Sequence, residues 1–283
     1  MAKKFDTKTE GLDAYVYMAK VFADSPWLHY GLWEPGERVV VPNVRQAQER
    51  YVEKLIGLFP PAPLAVLDVG GGTGEMAALL QSRGYEVDML TPSSVQVEEA
   101  RKKLAAERVH HCRFEEFSGE KKFDVVLFSE SFQYVPLGDS LPRLEALLNE
   151  GGIVVIADCF RNDNFRKGEL VPGGGHIFSE FVRGVEVNGL EIVGDVDVTE
   201  GVAPTMQIDQ QFYRGFLAPV VKQISEGLAR SRPIVHWFLA RGFNIFTSKD
   251  TRNRLQERFK ADYRSPENFK RVNTYRFLTL RAR

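Results

Sequence analysis

Leu64-Ala65-Val66-Leu67-Asp68-Val69-Gly70-Gly71-Gly72-Thr73-Gly74 decides the fold of this chain. Its apolar run around one acid reads as a buried strand that enters a glycine-rich turn, and Glu75 to Arg83 follows as an amphipathic helix. Glycine lets the backbone turn tightly and approach a ligand with no Cβ in the way. The helix N-terminus beyond it offers free N–H groups to that ligand. Asp68 chooses between ligands. An acid just before the loop would repel a pyrophosphate and welcome a cationic group such as an amine. The dinucleotide fingerprint G-x-G-x-x-G is not met either. Gly70, Gly72 and Gly74 are present, but Glu75 stands where the third small residue is needed.

Outward from that loop the pattern alternates. Strands are predicted over 64–69, 86–90, 109–113, 123–129 and 152–158, and helices over 74–83, 94–106 and 139–149. This order implies an α/β, Rossmann-like, doubly wound and mostly parallel sheet. Strands at 190–198 and 272–281 bring it to seven. Residues 1–60 read as an N-terminal helical cap, with helices over Leu12–Ala23 and Asn43–Phe59 around an aromatic loop at Pro26–Gly36. The core then occupies 61–200 plus 271–283. Between them 201–270 is too long for a strand connection. Its apolar positions over Phe212–Leu228 and Ile234–Phe246 read as a helical lid inserted before the last strand.

Composition narrows the function. The 283 residues carry 38 acidic and 37 basic side chains, without the basic excess of a nucleic-acid binder. Cys112 and Cys159 are too few for a disulfide framework, and no apolar run reaches the ~20 residues of a membrane span. The N-terminus lacks the apolar core of a signal peptide. The expectation is a cytoplasmic protein with no integral membrane segment and no nucleic-acid partner. Its oligomeric state is left open, a homo-oligomer included.

The strand and loop at 64–74 resemble the first motif of class I S-adenosylmethionine-dependent methyltransferases. That resemblance implies S-adenosyl-L-methionine as cofactor, held at Asp68, Gly70, Gly72 and Gly74. Most members end the second strand with an acid for the ribose. Here Thr91-Pro92-Ser93-Ser94-Val95-Gln96 resembles the lipid-modifying subgroup of sterol, tocopherol and cyclopropane-synthase-like enzymes, in which the Thr and Gln positions contact the ribose. Thr91 and Gln96 take that role by resemblance, with a helix N-cap at Ser93 or Ser94 compatible with it. Phe114-Glu115 resembles the aromatic–acid pair that meets adenine, with Glu115 as acceptor. Ser129-Glu130-Ser131 matches the fourth motif, between cofactor and acceptor, and Glu-Ser there is similar to sterol, tocopherol and terpene-diphosphate C-methyltransferases. Gln133 stands where cyclopropane synthases place a Glu, which argues against that reaction. His29-Tyr30-Gly31-Leu32-Trp33 resembles the aromatic loop that closes over the sulfonium, which gives Tyr30 a cofactor contact. The likeness covers about 15–200 and the last strand, and 201–270 lies outside it.

The implied activity is methyl transfer to a small, apolar or amphipathic acceptor, with C-methylation of an isoprenoid or lipid favoured over O- or N-methylation. A nicotinamide-dependent oxidoreductase and a non-catalytic cofactor-binding protein are the weaker alternatives. For C-methylation, Glu130 would remove a proton while Tyr30, Phe132 or Tyr134 shields a cation. For an O or N acceptor, His29 or His176 competes for the base role. His110-His111-Cys112 with Cys159 invites a zinc reading, but tetrahedral sites use spaced pairs across turns, so no metal is assigned. Arg214, Lys222, Arg230, Arg232 and Arg241 fit either an anion-holding lid or plain solvated faces.

Overall fold

In the computed structural model, which describes residues 24–246, 248, 260 and 262–283, β1 (Ala65–Val69) lies at the centre of a seven-stranded sheet. It pairs in parallel with β2 (Glu86–Leu90) on one side and β4 (Phe123–Ser129) on the other. β3 (Val109–His110) extends the first edge. On the other side follow β5 (Leu148–Arg161), β7 (Asn273–Ala282) and β6 (Leu190–Asp197), which gives the order 3-2-1-4-5-7-6. β7 runs antiparallel to both its neighbours. Four of the five residues of β1 are buried, because a parallel strand is covered on both faces. The sheet changes direction of winding at β1, so the crevice above the carboxyl ends of β1 and β4 is where a ligand site is expected.

Helices cover both faces. α1 (Val44–Ile56) turns Ala47, Tyr51, Val52 and Leu55 inward at helical spacing. α2 (Glu75–Ser82), α3 (Ser94–Ala100) and α4 (Leu137–Leu147) follow in the predicted alternation, and α5 (Phe178–Val187) adds a helix not expected from the sequence. The one-turn α6 (Thr199–Val202) leads to α7 (Thr205–Gln210), a π-helical stretch over Gln211–Leu217, α8 (Ala218–Ser231) and α9 (Pro233–Phe246). α10 (Pro266–Val272) returns the chain to β7. Among the described residues no helix is long and apolar enough to cross a membrane.

Several boundaries differ from the sequence expectation. β3 stops at His110 and not at 113, because β2 beside it ends at Leu90 and the Thr91 N–H to the His110 carbonyl (3.1 Å) is the last backbone bond between them. α3 ends at Ala100, and its last turn tightens through the Lys103 N–H to the Ala100 carbonyl (2.9 Å), which brings Leu104 into the core. β5 runs beyond 158 to Arg161, because the long antiparallel β7 supplies partners as far as Asn273. The helix expected over Leu12–Ala23 lies outside the described residues.

Candidate active site

Gly70 and Gly72 shape the floor of the site. Their φ angles of +74° and +56° lie in the left-handed region, which glycine enters without steric cost. The Gly70 and Gly71 N–H groups bond the Leu90 carbonyl, at 2.8 and 3.2 Å, and so fix the turn to the end of β2. A Cβ on Gly70 would meet Ser131 Cβ at 2.5 Å. Gly70→Ala is therefore expected to combine left-handed strain with overpacking, about 2–4 kcal/mol together, and to lower the Tm by roughly 5 °C. A Tm equal to that of the unsubstituted protein would show that the turn relaxes freely.

Above that floor is a cavity of about 450 Å3. It gathers Asp68, Gly70 and Gly72 from the first loop, Thr91 and Gln96 from the β2–α3 turn, Glu115 after β3, and Ser129 and Glu130 at the tip of β4. His29 of the aromatic loop closes one side. Asp68 is 1% exposed, no donor reaches it among the described residues, and its Oδ2 is buried without a partner there. Burial pushes its pKa up to about 7. A buried carboxylate with no donor is costly on its own and calls for a cation or a hydrogen-bond donor. The Thr91 hydroxyl donates to Gln96 Oε1 (2.6 Å), and Ser93 caps α3 by accepting from the Gln96 N–H (3.2 Å). Phe114, against the ring of Phe128 at 5.3 Å, makes the apolar wall beside Glu115.

Glu130 sits at the other end. Its φ of +54° is uncommon for a residue with a side chain, and such strain costs of order 1–3 kcal/mol unless the surroundings impose it. Here the Glu130 N–H bonds the Ala157 carbonyl (2.9 Å). The Tyr30 N–H and the Tyr275 hydroxyl both donate to Oε1, at 2.8 and 2.7 Å. Oε2 is left with no protein donor among the described residues. Burial raises the Glu130 pKa to about 7, against the lowering effect of those two donors. Tyr51 extends the network, with its hydroxyl 2.9 Å from that of Tyr275. The Tyr275 proton is committed to Glu130, so Tyr51 donates to Tyr275. Asp158, fully buried on β5, accepts from the Cys159 N–H (2.7 Å) and the Gln133 N–H (3.0 Å), and burial lifts its pKa to about 8.

His29 stacks on Tyr51 with ring centroids 4.3 Å apart, and its Nδ1 lies 2.8 Å from the Tyr30 carbonyl. A carbonyl only accepts, so Nδ1 carries the proton and Nε2 presents a lone pair. Nε2 is buried without a partner, and burial lowers the ring pKa to about 4, so the imidazole is neutral at neutral pH.

The family profile for a methyltransferase domain matches residues 44–196 of the chain, more than half its length. The chain belongs to the class I S-adenosylmethionine-dependent methyltransferases. It is an enzyme of that family, with S-adenosylmethionine as cofactor. The orphaned Asp68 carboxylate and the Cβ-free floor at Gly70 and Gly72 fit the cofactor's amino-acid end. The ubiquinone biosynthesis O-methyltransferase of Bradyrhizobium diazoefficiens is 33% identical over 106 residues, which cover 35% of this methyltransferase and 41% of that protein. The chain spans half or less of the length of the curated relatives it matches. Among solved structures it shares its fold with the cyclase SpnF (19% identity, TM-score 0.62, covering 97% of this chain and 94% of that one). It also resembles the geranyl diphosphate C-methyltransferase of Streptomyces coelicolor (17% identity, TM-score 0.59, covering 90% and 91%).

Some expected site residues of the methyltransferase lie elsewhere. The Tyr30 ring does not line the cavity but packs near Phe269 and Tyr275, at 6.2 and 6.0 Å, so its part in the site is the backbone N–H to Glu130. His176 also lies outside it. Its Nε2 reaches the carbonyls of Val135 (2.9 Å) and Phe132 (3.2 Å), which commits that nitrogen as a donor and pins the turn after β4. Gly74 is the N-cap of α2, with φ +79°, packed against Ala100 and away from the cavity. Phe132 is fully buried among Phe128, Phe160 and Phe181, whereas Tyr134 does line the cavity. His110 and His111 bond Asp88 (3.1 Å) and the Pro92 carbonyl (3.1 Å). Among the described residues no three His, Cys, Asp or Glu side chains converge as metal ligands. Sequence reasoning missed Tyr51, Tyr275 and Asp158. Tyr275 follows Glu130 by 145 positions, and only the inward alternation of the last strand hinted at it.

Proposed function

We propose that this methyltransferase acts on a small apolar or amphipathic acceptor, by C-methylation of an isoprenoid or lipid. The observation that carries the reading is Glu130, a half-buried carboxylate with a raised pKa, Oε1 anchored by two donors and Oε2 without a protein donor among the described residues. When bound, S-adenosylmethionine supplies an electrophilic methyl group on cationic sulfur. Asp68 would accept from its amino group, Gly70 and Gly72 would admit its amino-acid end, Thr91 and Gln96 would hold the ribose, Glu115 the adenine, and Ser129 would flank the junction with the acceptor. Alignment and exclusion of water then provide most of the acceleration. An alkene that gains a methyl group must lose a proton from a neighbouring carbon, and Glu130 Oε2 takes it. Methyl transfer leaves a carbocation before that proton is lost, and the ring of Tyr134, which lines the cavity, would shield it. The division into a cap over 1–60, a core over 61–200 plus 271–283 and an acceptor lid over 201–270 belongs to the same proposal. It is supported by Thr205 at the start of α7, whose Oγ1 accepts from Trp33 Nε1 (2.9 Å) and from the Gly31 N–H (3.2 Å).

O-methylation is the second reading, favoured by the lone pair on His29 Nε2 and by the name of the Bradyrhizobium relative. Substitution separates the two. His29→Phe keeps a ring on Tyr51 and removes the base. Under C-methylation its turnover stays within about tenfold, and under O- or N-methylation it falls by about 100-fold or more. Labelled-methyl transfer to a panel of prenyl diphosphates, isoprenoid lipids, phenols and amines, with products read by carbon NMR, identifies the methylated atom. A label found solely on oxygen or nitrogen would rule out the C-methylation reading.

A further inference from the structure

α8 and α9 form a hairpin joined side by side through Ser225 Oγ and His236 Nε2 (3.1 Å). In α8 the apolar positions 220, 221, 224 and 228 fall on one stripe, which Leu217 just before the helix continues. Among the described residues the middle of that stripe is open: Val221 is 55% and Ile224 58% exposed. α9 is apolar nearly all round, with His236 turned toward α8. Ile234 (72%), Trp237 (53%) and Phe238 (64%), spaced i, i+3 and i+4, share the face opposite His236, and all are exposed. A helix with that composition belongs in an interior or in a lipid phase. The charge around it is one-sided. Residues 212–246 hold five basic side chains, Arg214, Lys222, Arg230, Arg232 and Arg241, against the single acid Glu226, in a chain whose net charge is −1. All five are exposed, and the Arg241 guanidinium lies 5.3 Å from the centre of the Trp237 ring.

Exposed aliphatic and aromatic side chains with a cationic surround are the composition of an element that lies in the headgroup region of an anionic bilayer. Each helix has 14 residues, short of the roughly 20 that span the hydrocarbon. We propose that the α8–α9 hairpin docks the protein on anionic phospholipid surfaces, lying in the plane of the interface. The inference goes beyond the acceptor reading and does not depend on it. Docking is read without turnover, so failure of one leaves the other standing.

Sedimentation of the full chain with vesicles tests it, using pure phosphatidylcholine against an equal mixture of phosphatidylcholine and phosphatidylglycerol. Binding to the mixed vesicles is expected to be at least about tenfold tighter and to weaken with salt. Trp237→Ser combined with Phe238→Ser should reduce it about tenfold or more. Lys222→Glu, Arg230→Glu and Arg232→Glu together should abolish the preference for the anionic lipid. Affinity for S-adenosylhomocysteine should survive in both variants, and if the serine variant loses it, the charge-reversed variant decides. Absence of vesicle binding overturns the proposal, as does equal binding to the two lipids. A reversible dimer in sedimentation velocity that the serine substitutions dissolve, without vesicle binding, would make this face a contact between copies and overturn it as well.

Discussion

Glu130→Gln is expected to leave the affinity for S-adenosylhomocysteine within about twofold and to lower turnover by about 100-fold or more, the usual range for loss of a positioned general base. Gln keeps a carbonyl oxygen where Oε1 accepts from the Tyr30 N–H and the Tyr275 hydroxyl, so the network and the fold are retained. What it removes is the atom that would take the proton in the proposed C-methylation. Burial holds the Glu130 pKa at about 7, so turnover of the unsubstituted enzyme should rise with pH through that value as the carboxylate forms. The Gln variant should lack that limb. Asp158 couples to Glu130 and titrates nearby, so the limb belongs to the pair and not to one group. Steady-state kinetics from pH 5 to 9 with isothermal titration of the cofactor product measures both. Turnover unchanged in the Gln variant would remove Glu130 from the chemistry.

Asp68→Asn should move two observables in opposite directions. Affinity for S-adenosylhomocysteine should fall by about 100-fold or more, since breaking a buried charge pair costs roughly 3–5 kcal/mol. The ligand-free protein, however, should become more stable at pH 8. In the folded chain Asp68 has a pKa of about 7, above its ordinary value of 3.8. The folded state therefore holds this proton more tightly than the unfolded state does. Its stabilising contribution is complete below about pH 4 and is lost as pH rises through about 7. Glu130 and Asp158 share that sign, so the ligand-free protein should lose stability between about pH 5 and pH 8. His29 has the opposite sign, with its pKa lowered to about 4, so its contribution is lost as pH falls from about 6.5 through 4. Thermal unfolding at pH 5 and pH 8, with and without S-adenosylhomocysteine, reads all of this. Equal affinity and parallel pH curves for the two proteins would mean that Asp68 meets no cation.

The alternation of strands and helices and the glycine turn at 70–74 were legible in the sequence. The apolar run into Gly70–Gly74, the alternation of strand and helix, and the chemistry of Asp68, Thr91, Gln96, Glu115 and Glu130 are local, because hydrophobic period, turn residues and loop chemistry are written in neighbouring positions. Tertiary structure alone decided what surrounds Glu130. Tyr51 of α1, Tyr275 of β7 and the Tyr30 N–H meet there from three distant segments, and no spacing encodes that meeting. It likewise turned the Tyr30 ring and His176 away from the cavity, since an aromatic or imidazole side chain goes where packing and carbonyl partners take it. Burial, a property of the assembled core, then set the proton affinities of Asp68, Glu130 and His29 that their residue types left open.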